Sequence, residues 1–133
     1  MSWICPKCER EFPKPEQRHY CARVSLDSLF LGRPPELVLV FDRLLAEVAD
    51  WDGVLVGTTP NCIVFTRRLT FLVIRPLKKE LDLKFYSSVA HPEKPVLKSV
   101  ASGNKFENHI RIAMLDDLRP ALFNYLRESY RLL

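Results

Sequence analysis

Residues 54–86 read VLVGTTPNCIVFTRRLTFLVIRPLKKELDLKFY, and this stretch decides the fold. It is dominated by Val, Ile, Leu, Phe and Thr, residues that fit a pleated, half-buried surface. Four short strands are predicted, at 54–58, 62–66, 69–75 and 81–86. The last alternates with a period of two, Leu81, Leu83 and Phe85 against Asp82, Lys84 and Tyr86. The connections at Thr59-Pro60, Arg67-Arg68 and Lys78-Lys79 are too short for crossovers. The strands therefore form an antiparallel meander.

Upstream the period changes. Pro34-Pro35 opens a helix, because proline suits a first turn. Leu37, Phe41, Leu44, Leu45 and Val48 then recur at helical spacing to about Trp51, and Asp52-Gly53 turns the chain. Leu26, Leu29 and Phe30 suit one helical turn docked on the core. Downstream, 91–103 is an irregular excursion with a short helix expected near Val96–Val100. His109–Met114 reads as a fifth strand, and Asp116 or Asp117 caps a final helix with Leu118, Leu122, Leu126 and Tyr130 as its stripe. Two amphipathic helices flanking a meander can cover the same face of it. The expected fold class is α+β, a two-layer sandwich of about five antiparallel strands with an N-terminal and a C-terminal helix. A small zinc-binding segment over residues 1–23 precedes the helix–sheet–helix domain of residues 24–133.

Composition narrows the function classes. With 133 residues, 47% hydrophobic and 27% charged, the chain has the make-up of one folded domain plus an appendage. Its longest apolar runs, such as Leu37–Phe41, fall far short of the roughly 20 residues needed to span a bilayer. The opening Met-Ser-Trp-Ile-Cys has neither a basic nor an apolar signal region, so a cytoplasmic location is expected, with no membrane partner. The net charge of +4 is unevenly spread: +2 over residues 1–33, −4 over 34–60 and +6 over 61–133. That asymmetry permits an anionic partner without requiring one.

Three of the four cysteines lie in the first 21 residues, as Cys5-Pro-Lys-Cys8 and His19-Tyr-Cys21. A Cys-x2-Cys turn presents two thiolates at tetrahedral spacing, and the second pair completes the shell. Cys5, Cys8, His19 and Cys21 thus form a candidate Zn(II) site. With four protein ligands and no open position, the metal is structural. The segment also needs a staple, because Trp3, Ile4, Phe12 and Tyr20 are too few large apolar groups to hold it. The fourth cysteine, Cys62, sits in a strand as a small hydrophobe.

The run Cys5-Pro-Lys-Cys8-Glu-Arg-Glu-Phe12, followed by Glu16-Gln-Arg-His19-Tyr-Cys21, resembles the zinc segment that opens a bacterial domain family of unknown function. The rest of the pattern is similar too: Leu26 to Phe30, Phe41-Asp-Arg-Leu-Leu, Ile63-Val-Phe, Thr70-Phe-Leu-Val, Leu81-Asp-Leu and a closing Leu-Arg-Glu-Ser-Tyr. Glu9 stands where a glycine usually follows the knuckle, and Asn61 where a longer polar residue is usual. The resemblance implies a YdhG-like, frataxin-like α+β domain after the zinc segment. It implies no established activity.

If Phe65, Phe71, Val73, Leu81, Leu83, Phe85, Ile110 and Ile112 face the core, the other face carries Val64, Thr66, Thr70, Leu72, Ile74 and Asp82 with Lys84, Tyr86, His109 and Arg111. Basic groups beside an aromatic are what single-stranded nucleic acid requires, phosphate neutralised and bases stacked. Lys84, Tyr86, His109 and Arg111 are therefore the candidate binding face of a non-enzymatic module. The alternatives are a protein-interaction or homodimer surface built on the exposed aliphatics, and frataxin-like metal handling by Glu36, Asp42, Glu47, Asp50 and Asp52. Enzyme readings lack a constellation. Asp82-Leu-Lys84 has a nuclease-like spacing, but residues 61–75 supply no second acid. There is no glycine-rich phosphate loop, and no small-molecule cofactor is implied. His91 reads as solvated, and His109 as lacking an acidic partner.

Overall fold

The computed structural model describes residues 2–6, 11–16 and 26–133. Two short strands come first, β1 (Trp3–Ile4) and β2 (Glu11–Phe12), paired antiparallel. One helical turn, α1 (Leu26–Leu29), precedes helix α2 (Pro35–Val48). Strands β3 (Leu55–Thr58), β4 (Ile63–Thr66), β5 (Thr70–Pro76) and β6 (Leu81–Ser87) follow, then β7 (Lys98–Ser102) and β8 (Lys105–Ile112). A 3-10 turn at Leu115–Asp117 leads into α3 (Pro120–Leu132).

The first four of these strands form the expected meander, at nearly the expected bounds. The sheet has six strands rather than five, all antiparallel, in the order β3-β4-β5-β6-β8-β7. The helix expected near Val96–Val100 is instead edge strand β7, and β8 begins four residues before His109. The cause is a two-residue loop, Gly103-Asn104, between the paired Ser102 and Lys105. Gly103 has φ +65°, which so tight a hairpin demands and which glycine supplies without strain. Most of β7 is exposed, so it carries no amphipathic signature.

One face of the sheet packs on α2 and α3, giving the two-layer α+β arrangement. Ile63, Ile74, Leu83 and Ile110 form a continuous row across four strands, flanked by the row Phe65, Leu72, Phe85. Against them sit Leu37, Val40, Phe41, Leu44 and Val48 from α2 and Leu122, Leu126 and Tyr130 from α3. Proline occupies the first turn of both helices. Asp117 caps the 3-10 turn rather than α3, its carboxylate accepting the Ala113 and Met114 N–H groups at 2.8 and 3.1 Å.

The face assignment within β5 is corrected. Phe65 pairs with Leu72 but Thr66 pairs with Thr70, so Phe71 is the extra residue of a β-bulge. Phe71 and Leu72 both face inward, fully buried. Beyond the bulge, Leu72 and Ile74 belong to the core, and Val73 turns outward opposite Lys84. A strict period of two cannot anticipate this inversion.

The β5–β6 ladder ends at Leu72–Phe85, and at the next position α3 bridges the two strands. The Ser129 hydroxyl, fully buried, donates to the Phe71 carbonyl at 2.6 Å and accepts the Tyr86 N–H at 2.9 Å. One residue on, the Tyr130 hydroxyl donates to the Asp52 carbonyl at 2.6 Å while its ring packs edge-on against Phe71. Ser129→Ala leaves two buried backbone groups without a partner and is expected to cost about 2–4 kcal/mol. Tyr130→Phe, which keeps the ring, should cost about 1 kcal/mol. Urea denaturation of both variants checks this; a Ser129→Ala change below about 0.5 kcal/mol would show that the serine is not the plug.

Candidate functional site

At the N-terminus, Cys5 follows β1 directly and enters the connection to β2. It is 3% exposed and packs with Phe12 and Trp3, whose rings lie 5.9 Å apart. The Ser2 hydroxyl donates to the Glu11 carboxylate across the pair. A Cys-x2-Cys turn inside such a hairpin suits a knuckle that offers two thiolates to one metal. Cys8, His19 and Cys21 lie outside the described residues. Strand β2 lies close to β3, which places the hairpin at that edge of the sheet.

The face away from the helices is built in cross-strand rows. Val64, Val73, Lys84, His109 and Lys98 form one; Arg75, Asp82 and Arg111 form the next. A third holds Tyr86, Glu107 and Val100. The four residues expected on this face, Lys84, Tyr86, His109 and Arg111, are all brought to it by the pairing of β6 with β8. Leu72 and Ile74, the aliphatics expected beside them, are in the core instead.

These side chains form a charge lattice. The Asp82 carboxylate lies 3.0 Å from His109 Nδ1 and 3.5 Å from Arg111 Nε, and Arg111 also reaches Glu80 at 3.5 Å. Glu107 lies 3.4 Å from His109 Nε2 and 3.8 Å from Lys84 Nζ. His109 thus has two acidic partners, where none was expected. A carboxylate stands at each ring nitrogen, which is a poor arrangement for a general base acting on a substrate. The lattice is layered: the Asp82 side chain is 16% exposed, whereas that of Arg111 is 48% exposed. Lys105 Nζ sits 4.9 Å from the centre of the Tyr86 ring, in cation–π range.

Glu107, Lys105 and Lys98 also lie on this face, outside a strand expected to begin at His109 and within or beside a helix expected near 96–100. Extending the alternation His109, Arg111 backward would have put 105 and 107 on the same face; the Gly103-Asn104 dipeptide was the signal.

His91 is not a solvated loop residue. Its ring packs edge-on to Tyr125 with centroids 4.9 Å apart, between Glu93 at 3.3 Å and Glu128 at 3.5 Å. Burial, then the charge and hydrogen bond of Glu93 and the charge of Glu128, holds the Tyr125 phenol above its usual pKa. The His91 backbone N–H donates to Ser99 Oγ at 3.1 Å, which donates in turn to the buried Asn108. This cluster ties the 91–99 segment to the sheet.

No helix among the described residues is long and apolar enough to cross a membrane. Comparison with curated proteins and with solved structures gave no match. A family described as a domain of unknown function matches residues 26–133, from the first residue of α1 through α3. That span takes in the whole six-stranded sheet and its three helices, and by it the chain belongs to the DUF5655 family.

Proposed function

We propose that the chain is a non-enzymatic binding module, its first 23 residues stapled by one structural Zn(II), its open sheet face a surface for single-stranded nucleic acid. The layering of charge on that face carries the second part. Its innermost acid, Asp82, holds His109 and Arg111, Glu107 and Lys84 pair at equal exposure, and Arg75, Lys98 and Arg111 are exposed to solvent. A phosphate backbone approaching the face meets the cations first. Tyr86 supplies a ring for a base to stack on, and Lys105 above it is long and flexible enough to yield that place to a base while keeping its charge near the phosphate.

For the metal, the buried Cys5 at the hairpin turn supports the reading, with Cys8, His19 and Cys21 as the remaining ligands. Zinc here supplies folding energy to a segment without a core of its own. The competing readings gain less support. Self-association through the sheet rested on Leu72 and Ile74, which are buried. Metal handling by the α2 acids needs them to converge, and no group of three or more potential ligands does so among the described residues.

Two measurements test the proposal. A fluorescent single-stranded oligonucleotide should bind with an affinity that falls steeply with salt, and the double change Lys84→Glu, Arg111→Glu should weaken it at least about tenfold. Absence of binding at low salt overturns the nucleic-acid reading. Metal analysis of the protein as purified should find about one zinc per chain, lost with Cys8→Ser. A zinc-free protein with an unchanged circular dichroism spectrum and melting curve would remove the staple.

A further inference from the structure

At the end of the sheet, where the β3–β4 and β5–β6 turns approach α1, lies a cavity of about 290 Å3. Its volume is at the lower limit of small-molecule sites, roughly 300 Å3. Arg33, Arg75 and Lys78 line it together with Asn61 and Ser28, and no Asp or Glu does. None of the three cations forms an ion pair among the described residues, in contrast to Lys84 and Arg111 on the sheet face. Arg33 is held by backbone instead: Nη1 donates to the Leu31 carbonyl at 3.1 Å and Nη2 to the Pro76 carbonyl at 3.3 Å. Two of its five N–H groups are thereby used, and the shielded Nε–H has no partner. The guanidinium is thus fixed in place while its charge stays uncompensated.

Three like charges around one concavity repel each other, and a low-dielectric wall concentrates their field. A bound anion removes that cost. We infer that this pocket binds a phosphate monoester, the dianionic group of a free nucleotide or of a nucleic-acid strand end. Charge count favours a dianion over a carboxylate, and each terminal nitrogen of Arg33 keeps one N–H beyond the one it gives to a carbonyl. Asn61 adds an amide donor at the pocket wall. Arg75 belongs both to this pocket and to the open face, where it stands opposite Asp82, so the two surfaces are contiguous.

Calorimetric titration of the full chain with inorganic phosphate, a nucleoside 5′-monophosphate and its parent nucleoside tests the pocket. Phosphate and the monophosphate should bind and the nucleoside should not. Lys78→Gln with Asn61→Ala, both exposed and part of the pocket but not of the open face, should weaken binding at least tenfold. The same variant should leave binding of an oligonucleotide without a 5′-phosphate unchanged, which separates this inference from the sheet-face proposal. Equal binding of nucleoside and monophosphate, or no effect of the pocket variant, overturns it. Oligonucleotides with and without a 5′-phosphate then identify the source. Tighter binding of the phosphorylated strand, lost in the pocket variant, assigns a strand end; no difference, with the monophosphate still bound, assigns a free nucleotide.

Discussion

The hydroxyl of Ser129 stands between two strands that would otherwise have to part. Phe71 is one residue too many for β5, and the ladder beside it opens; the serine on α3 fills the gap from both sides. The bulge also sets which side chains emerge beyond it. With the bulge in place, Phe71 and Leu72 are both buried and Arg75 emerges on the open side, level with Asp82 and Arg111. Without it, the apolar set of β5 beyond the bulge would exchange faces, placing Leu72 and Ile74 among Lys84 and His109. A serine of α3 thus completes the hydrogen bonding of two strands that also build the open face.

Residues with a strong period were legible in the sequence. The strands around Ile63, Val73 and Leu83, the stripe of α2 and the stripe of α3 all combine regular apolar spacing with clear turn residues, and they appear at nearly the bounds expected. Two features were not legible. The bulge leaves no trace in composition, since Phe71-Leu72 reads as an ordinary apolar pair whichever way each faces. Strand β7 is an exposed edge, and a strand without a buried side has no alternation to detect. The candidate face was half legible for the same reasons. Its four named residues lie on β6 and the end of β8, as does Asp82, whereas Glu107 lies in the first half of β8, which no alternation in β7 announces.

The two cationic surfaces differ in how charge is balanced. On the sheet face, His109 and Arg111 are positioned by Asp82 and Glu107, so the lattice is locally compensated and stiff. In the end pocket, Arg33 is positioned by carbonyl dipoles, which hold a guanidinium without neutralising it. The first arrangement suits contacts made and broken along a polymer; the second suits retention of one compact anion. Both draw on the +6 of residues 61–133, while half of the −4 of residues 34–60 lies on α2 and the other half, Asp50 and Asp52, just after it.

The hairpin of β1 and β2 lies beside β3, and β3 is the outermost strand on its side of the sheet. An outermost strand has backbone donors and acceptors with no neighbour on one side, a template for pairing with another chain. Whatever holds the hairpin together also decides how much of that template is available. Loss of order in the first residues would therefore be felt first as stickiness between molecules, well before the helices and the central strands lose any stability.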